Sequence, residues 1–294
     1  MLVKLFYLIF GRSLTWRLGR ALYQYSRGDI QNRMDTNGEI GLLRAVVGAW
    51  LRDPNNQGPL TVFDVGANVG DWAANVINTL PPSKRNSLHL HMFEPIPETN
   101  RVLRERISAA PAGAQCHFHD VALSSKSGTA TMSAQGDSGT NSLNPGESKE
   151  ESLSISVTVC TLSEFAARAG IEKINIVKCD TEGHDMEVIT GAFPMLKAGR
   201  IQVMQFEYNY RWLYSRHYLK DVFDAMSGLP YRIGKLMPEG IELYPQWHFE
   251  LERFFESNFV LIHSDSLAAF NAWEVTFSAN NTPAVTKKQV RGYK

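Results

Sequence analysis

Between positions 60 and 209 short apolar runs alternate with stretches of helical period, and this alternation most restricts the fold. "LTVFDVG" starts a buried strand after the chain-breaking "NNQGP". "SLHLHMFEP" (87–95) reads as a second strand and "PETNRVLRERISA" (97–109) as a helix with Pro at its start. "AQCHFHDVALSS" (114–125) is extended, and "TLSEFAARAG" (161–170) is a short helix with a Thr cap and a Gly stop. "INIVKCD" (174–180), "DMEVITGAFPML" (185–196) and "IQVMQFEYN" (201–209) continue as strand, helix and strand. This order predicts an α/β fold, a mostly parallel sheet with helices on both faces. "GTATMSA" and "SISVTVC" flank a Gly-, Ser- and Asn-rich loop (135–150) and are expected to pair as a hairpin. "YRIGKLM", "GIELY" and "NFVLIHS" read as closing strands.

The 294 residues suit one large domain with an extension. The boundaries expected are a helical extension over 1–55, the main domain over 56–278 and a loose polar tail over 279–294. At 44% hydrophobic and 20% charged, the chain can bury a sizeable core. Lys and Arg number 30 against 30 Asp and Glu, so the basic excess typical of phosphate-gripping proteins is missing and no nucleic-acid partner is expected. Cys116, Cys160 and Cys179 are odd in number and lack zinc spacing, which predicts reduced thiols in a cytoplasmic protein.

The chain starts "MLVKLFYLIFGRSLTWRLGRALYQYSRGD". Its apolar run ends at Phe10, short of the ~20 residues of a membrane span, and Arg12 follows without a cleavage site. From Ser13 to Tyr25 the period is helical, with Leu14, Leu18, Ala21, Leu22 and Tyr25 on one side and Arg12, Arg17, Arg20 and Arg27 as the basic counterpart. The expectation is a helix packed on the main domain or on a second subunit in a homodimer. The sharper alternative is peripheral membrane contact through residues 1–30.

The first strand runs into "VFDVGANVGDW" (62–72), where Gly66 and Gly70 bracket a strand-to-helix turn. Glycines there permit positive φ and close backbone approach to a ligand, and Asp64 lies near the strand end where ligands bind in open α/β sheets. The stretch lacks both the G-x-G-x-x-G spacing and a phosphate-loop Lys-Ser or Lys-Thr. A cofactor without pyrophosphate, such as S-adenosylmethionine, fits better. Glu94 ends the second strand, where a carboxylate can accept from ribose hydroxyls. Asp120 and Val121 follow the third, where an Asp can accept from an adenine amino group while a neighbouring amide donates to the ring.

Together, "VFDVGANVGDW", "FEPIPETN", "DVALSSKSGTATM" and "IVKCDTEGHDMEVITGA" resemble the FkbM family of S-adenosylmethionine-dependent methyltransferases over about residues 60 to 210. The resemblance implies a Rossmann-like class I methyltransferase fold, with a mostly parallel seven-stranded sheet that includes a final antiparallel strand. It also implies O-methylation of a saccharide, a glycolipid precursor or a glycosylated natural product. The cofactor set it implies is Asp64, Gly66, Asn68, Gly70, Asp71, Trp72, Glu94, Pro95, Asp120, Val121 and Asp180, with Asp180 near the methionine ammonium. Glu182, Gly183 and His184 are expected to line the transfer pocket.

Methyl transfer from a sulfonium is an in-line displacement, helped mainly by positioning and by a base that takes the hydroxyl proton. His184 is the leading base by chemistry. Glu182 and Glu207 compete, and buried Lys178 needs Asp180 or Glu207 as counter-ion. "DTEGHDME" also contains ligand types for a divalent metal, but without helical two-His spacing; a metal is therefore not favoured. The 135–150 loop is either a lid, with Asn141 and Ser142 reaching inward, or plain surface. Late aromatics, from Tyr208 to Phe255, suit a sugar acceptor if exposed and core if not. The rival functions are a non-catalytic scaffold that kept the cofactor fold and a nicotinamide-dependent oxidoreductase; the missing third glycine counts against the latter.

Overall fold

The computed structural model describes residues 2–29, 33–54, 58–134, 143 and 153–287. Helices α1 (Leu2–Ser26) and α2 (Glu39–Arg52) precede β1 (Leu60–Val65), α3 (Asp71–Thr79), β2 (Leu88–Phe93), α4 (Pro97–Ser108) and β3 (Gln115–His119). Then come β4 (Ala122–Leu123), β5 (Gly128–Ala134), β6 (Leu153–Cys160), α5 (Leu162–Arg168), β7 (Ile174–Cys179), α6 (Asp185–Lys197) and β8 (Ile201–Tyr208). The last third holds α7 (Trp212–Ser215), α8 (Leu219–Ala225), β9 (Tyr231–Met237), β10 (Gly240–Leu243), β11 (Ser257–His263), β12 (Ala272–Phe277) and β13 (Pro283–Lys287).

The sequence signals explain most of these boundaries. Pro97 opens α4, where its missing N–H costs nothing. The Thr161 hydroxyl accepts from the Glu164 amide at 3.0 Å and starts α5. β1 is buried along its whole length, as a central parallel strand must be.

Among the described residues ten strands form one sheet, ordered β13-β12-β10-β9-β11-β8-β7-β1-β2-β3. β3, β2, β1, β7 and β8 are mutually parallel, and β11 runs antiparallel to both β8 and β9. These seven strands carry the expected class I methyltransferase order with its reversed strand. The expected count of seven is too low, because β10, β12 and β13 extend the edge beyond β9. The tail expected to be loose therefore contains a strand, β13, paired antiparallel with β12. The expected hairpin is present, with β5 antiparallel to β6 in a separate three-stranded sheet that also holds β4.

Alternation along the central strands builds one core on each face. Phe63, Val65, Val177 and Cys179 pack toward α5 and α6, while Val62, Leu90, Ile176 and Val203 pack toward α2 and α3. Asp64 and Lys178 are register partners on adjacent strands. On the α2 side, Glu39 enters the core and bonds to Gln205 at 2.8 Å and Asn37 at 2.6 Å. The three cysteines are free thiols.

Helix α1 meets the domain through a side other than the one its apolar pattern offers. Gly11 has φ 71 and breaks it into two pieces. Leu14, Leu18, Ala21, Leu22 and Tyr25 are all exposed rather than packed on the domain. The other side of the helix makes the contacts: Tyr23 donates to Glu250 at 2.7 Å and the Arg20 guanidinium lies over the Phe255 ring. Among the described residues no helix is long and apolar enough to cross a membrane.

Candidate active site

The carboxyl ends of β1, β2 and β7 meet at a cleft of about 240 Å³. The turn after β1 contributes Gly66, Ala67, Asn68 and Val69, with Asp71 and Trp72 from the start of α3. Glu94 and Pro95 follow β2, and Lys178, Asp180, Thr181, Glu182 and His184 come from the end of β7 and the turn beyond. Ala122, Leu123, Met132 and Leu143 supply an apolar wall. Open parallel sheets place ligands at this edge because loops diverge there.

The turn is held by backbone geometry. Gly66 and Gly70 have φ 76 and 87, and Asn68 has φ 47. The amides of Gly66 and Ala67 both donate to the Phe93 carbonyl at 3.1 Å. The glycines make room for protein rather than for a ligand. A Cβ on Gly66 would stand 2.0 Å from the Asp180 carbonyl oxygen, and one on Gly70 would stand 2.6 Å from Leu103.

Glu94 is buried, and two amides fix its carboxylate: Asn68 donates to Oε2 and Ile96 to Oε1, each at 3.0 Å. Burial pushes its pKa up to about 7 against the pull of those amides. Each oxygen keeps a second lone pair for a ligand hydroxyl.

Lys178 Nζ lies 3.1 Å from Asp180 Oδ2 and 3.9 Å from Asp64 Oδ1. Its counter-ions are therefore Asp180 and Asp64, and the alternative pairing with Glu207 is not formed. Burial pulls the ammonium down, but the carboxylates outweigh it and the net shift is upward. Asp64 is fully buried, with no hydrogen-bond partner on either oxygen. Burial lifts its pKa to about 6, with Lys178 opposing.

The "DTEGH" turn needs left-handed backbone at Glu182 (φ 55) and Gly183 (φ 90). A Cβ on Gly183 would meet Arg211 at 2.7 Å, so this turn presses against the one after β8. Arg211 pairs with Glu182 at 2.7 Å. Burial, then Asp180, raises the Glu182 pKa to about 8 against that pair. His184 Nε2 lies 3.0 Å from Ser124 Oγ, and Nδ1 has no partner among the described residues. Burial lowers the His184 pKa to about 4, so the ring is neutral at pH 7. Asp185 does not cap its helix toward solvent: fully buried, it accepts from Thr181 at 3.1 Å and from the Glu207 amide at 3.3 Å. Glu207 lies behind the cleft lining, where it accepts from Asn209 at 2.7 Å; burial beside Asp180, Glu182 and Asp185 holds its pKa well above the ordinary range.

Most of the sequence-derived set thus converges. Asp64, Gly70, Asp120 and Val121 are not among the lining residues; the Asp120 side chain is 71% exposed and paired with Arg104. Asp71 reaches the cleft margin while pairing with Arg106. Asn141 and Ser142, the proposed lid contacts, lie outside the described residues. Sequence reading missed Ser124 as the partner of His184 and Arg211 as the partner of Glu182, and no local pattern marks either. Among the described residues no cluster of three His, Cys, Asp or Glu is arranged to hold a metal ion.

Among the described residues, Trp72 Nε1 and His184 Nδ1 are buried atoms of lining residues without a hydrogen-bond partner. Buried polar atoms are normally satisfied, so such a pair in a cleft wall fits a site completed by a ligand or water. With the diol-ready Glu94 and the apolar wall, the residues fit an S-adenosyl nucleoside.

No curated protein matches the chain in sequence. Among solved structures it is similar to a methyltransferase FkbM from Methylobacillus flagellatus KT, at 14% identity and TM-score 0.43, over 72% of this chain and 47% of that one. The chain thus spans about half the length of that structure. It is similar to the magnesium protoporphyrin IX methyltransferase of Synechocystis PCC 6803 with bound SAM, at 13% identity and TM-score 0.38, over 83% and 91% of the two chains. A SAM-dependent methyltransferase from Agrobacterium tumefaciens is similar at 9% identity and TM-score 0.40, over 77% and 61%. The sequence model of the methyltransferase FkbM domain matches residues 64–233, more than half of the chain. On that match the chain belongs to the FkbM family of methyltransferases.

Proposed function

We propose that the chain is an S-adenosylmethionine-dependent O-methyltransferase whose acceptor is a hydroxyl of a saccharide, a glycolipid precursor or a glycosylated natural product. The observation that carries this reading is the cleft at the carboxyl ends of β1, β2 and β7, where Glu94, Asp180 and His184 share one ligand-sized space. Glu94 accepts from the ribose hydroxyls, held in place by the Asn68 and Ile96 amides. Asp180 takes the amino-acid ammonium and is oriented by Lys178 from its own strand. When bound, the cofactor supplies an electrophilic methyl group.

The chain's own contribution is to position the acceptor and receive its proton. His184 is neutral at working pH, so a ring nitrogen carries a free lone pair. If Ser124 Oγ accepts from Nε2–H, that lone pair is on Nδ1, the atom without a partner among the described residues. His184 would receive the hydroxyl proton there as the acceptor oxygen takes the methyl group, the C–O bond forming while the sulfonium C–S bond breaks and a neutral thioether leaves. Glu182, held by Arg211, orients the acceptor. Beyond Arg211 the surface exposes Tyr210, Tyr214 and Tyr218, faces on which a sugar ring can stack, whereas Tyr208 and Trp212 are core.

The test is transfer of labelled methyl from S-adenosylmethionine to a panel of saccharides, glycolipids and amines, followed by alkali. Alkali-stable label on a hydroxyl acceptor is the expected result. Label on amines alone, or label released by alkali as from an ester, would refute O-methylation of a hydroxyl.

A further inference from the structure

Helix α1 turns its apolar side away from the protein. Tyr23, Arg20 and Arg27 face the domain through Glu250, Phe255 and Asp29. Leu14, Leu18, Leu22 and Tyr25, on the opposite side, are 43%, 42%, 61% and 83% exposed. The piece before the Gly11 break adds exposed Leu5, Leu8, Ile9 and Phe10. An exposed apolar patch of this extent needs a covering partner.

The charge of the segment identifies the partner. Residues 1–28 contain Lys4, Arg12, Arg17, Arg20 and Arg27 and no Asp or Glu. A second copy laid on this face would bring two acid-free basic helices together, which like-charge repulsion opposes. An anionic bilayer offers both hydrocarbon for the apolar side and negative headgroups for Lys4, Arg12 and Arg17, the basic residues not turned to the domain. Trp16 and Tyr25, both exposed, have the amphipathic rings favoured at headgroup level. The apolar piece over 2–10 is about 13 Å long at 1.5 Å per residue, under half of a ~30 Å hydrocarbon core, so it enters one leaflet without crossing.

We infer that α1 is a monotopic anchor that seats the protein on an anionic lipid surface. Its root is fixed to the functional edge of the sheet. Lys235, near the end of β9, donates to the Arg27 carbonyl at 3.1 Å and pairs with Asp29, and Ser257, the register partner of Tyr208 at the end of β8, donates to Asp29 at 3.5 Å. Met34, just beyond, lines the cleft. The anchor therefore draws the cleft-bearing edge toward the bilayer, whatever acceptor the cleft takes.

Flotation of the full chain with vesicles tests this, using phosphatidylcholine alone and vesicles with about a third of it replaced by phosphatidylglycerol. The protein is expected to float with the acidic vesicles and not with the neutral ones. Arg12→Gln with Arg17→Gln is expected to weaken acidic-vesicle binding about 30-fold, and Leu18→Asp with Leu22→Asp to abolish it. Circular dichroism and S-adenosylmethionine titration of both variants should match the parent, which separates loss of the anchor from misfolding or from an error in the functional reading. Failure of the parent chain to float with acidic vesicles overturns the inference. Sedimentation then shows whether Leu18→Asp with Leu22→Asp dissociates a dimer, which would assign the face to a second copy.

Discussion

Replacing Lys178 with Met should destabilise the protein in a pH-dependent way. In the native chain the Asp64 carboxylate is fully buried and has no hydrogen-bond partner; its nearest compensation is the ammonium at 3.9 Å. Even with that ammonium, its pKa rises from the ordinary 3.8 to about 6. A carboxyl raised on folding contributes most below its unfolded pKa, and its contribution falls as pH rises through the folded value. The cost of ionising Asp64 is roughly 3 kcal/mol above pH 6. Removing Lys178 leaves this charge uncompensated, and breaking a buried pair in this way costs about 3–5 kcal/mol. At pH 5 Asp64 is mostly protonated with or without Lys178, so the loss should shrink to about 1 kcal/mol. Urea unfolding at pH 5 and pH 8 reads both values. Lys178→Met with Asp64→Asn should recover most of the pH 8 loss. Equal losses at the two pH values, or no recovery in the double variant, would refute the assigned coupling.

Gly66→Ala combines a left-handed φ with a Cβ 2.0 Å from the Asp180 carbonyl and should cost at least about 3 kcal/mol by urea unfolding. Gly170→Ala, at φ 67 with nothing near, should cost only about 1 kcal/mol. With His184 (pKa about 4) as proton acceptor, kcat should be flat from pH 6 to 9; a rise through pH 8 would transfer the role to Glu182 (pKa about 8). His184→Ala should lower kcat by about 100-fold with little change in cofactor Kd, and Ser124→Ala by about tenfold, in steady-state kinetics.

The parallel sheet and the strand-end carboxylates were legible because each depends on a local pattern. A buried run, a glycine turn and an acidic strand tip can be read from a dozen neighbouring residues. Lys178 and Asp180 could be placed on one face because strand alternation is strict. Contacts between distant segments were not legible: Ser124 meets His184, and Arg211 meets Glu182, only through tertiary packing. Glu39 illustrates the same limit, since it begins an ordinary amphipathic helix yet bonds to Gln205 in the core. Asp120 follows β3 as its pattern predicts, but its pairing with Arg104, which turns the side chain to solvent, was not legible. "GIELY" read as a strand, but β12 and β13 escaped because the short apolar run at 272–277 and the polar 283–287 gain their pairing from the open edge of β10 rather than from their own pattern.

Calorimetric titration with S-adenosylmethionine in EDTA, on the parent chain and on Glu94→Ala with a nicotinamide cofactor as control, reads the cofactor specificity of the cleft. The expected result is micromolar binding by the parent, at least about 30-fold weaker binding by Glu94→Ala after loss of two charge-assisted ribose contacts, and no nicotinamide binding. Undiminished binding by a folded Glu94→Ala, or no binding by the folded parent, would contradict the assignment of this cleft to the cofactor.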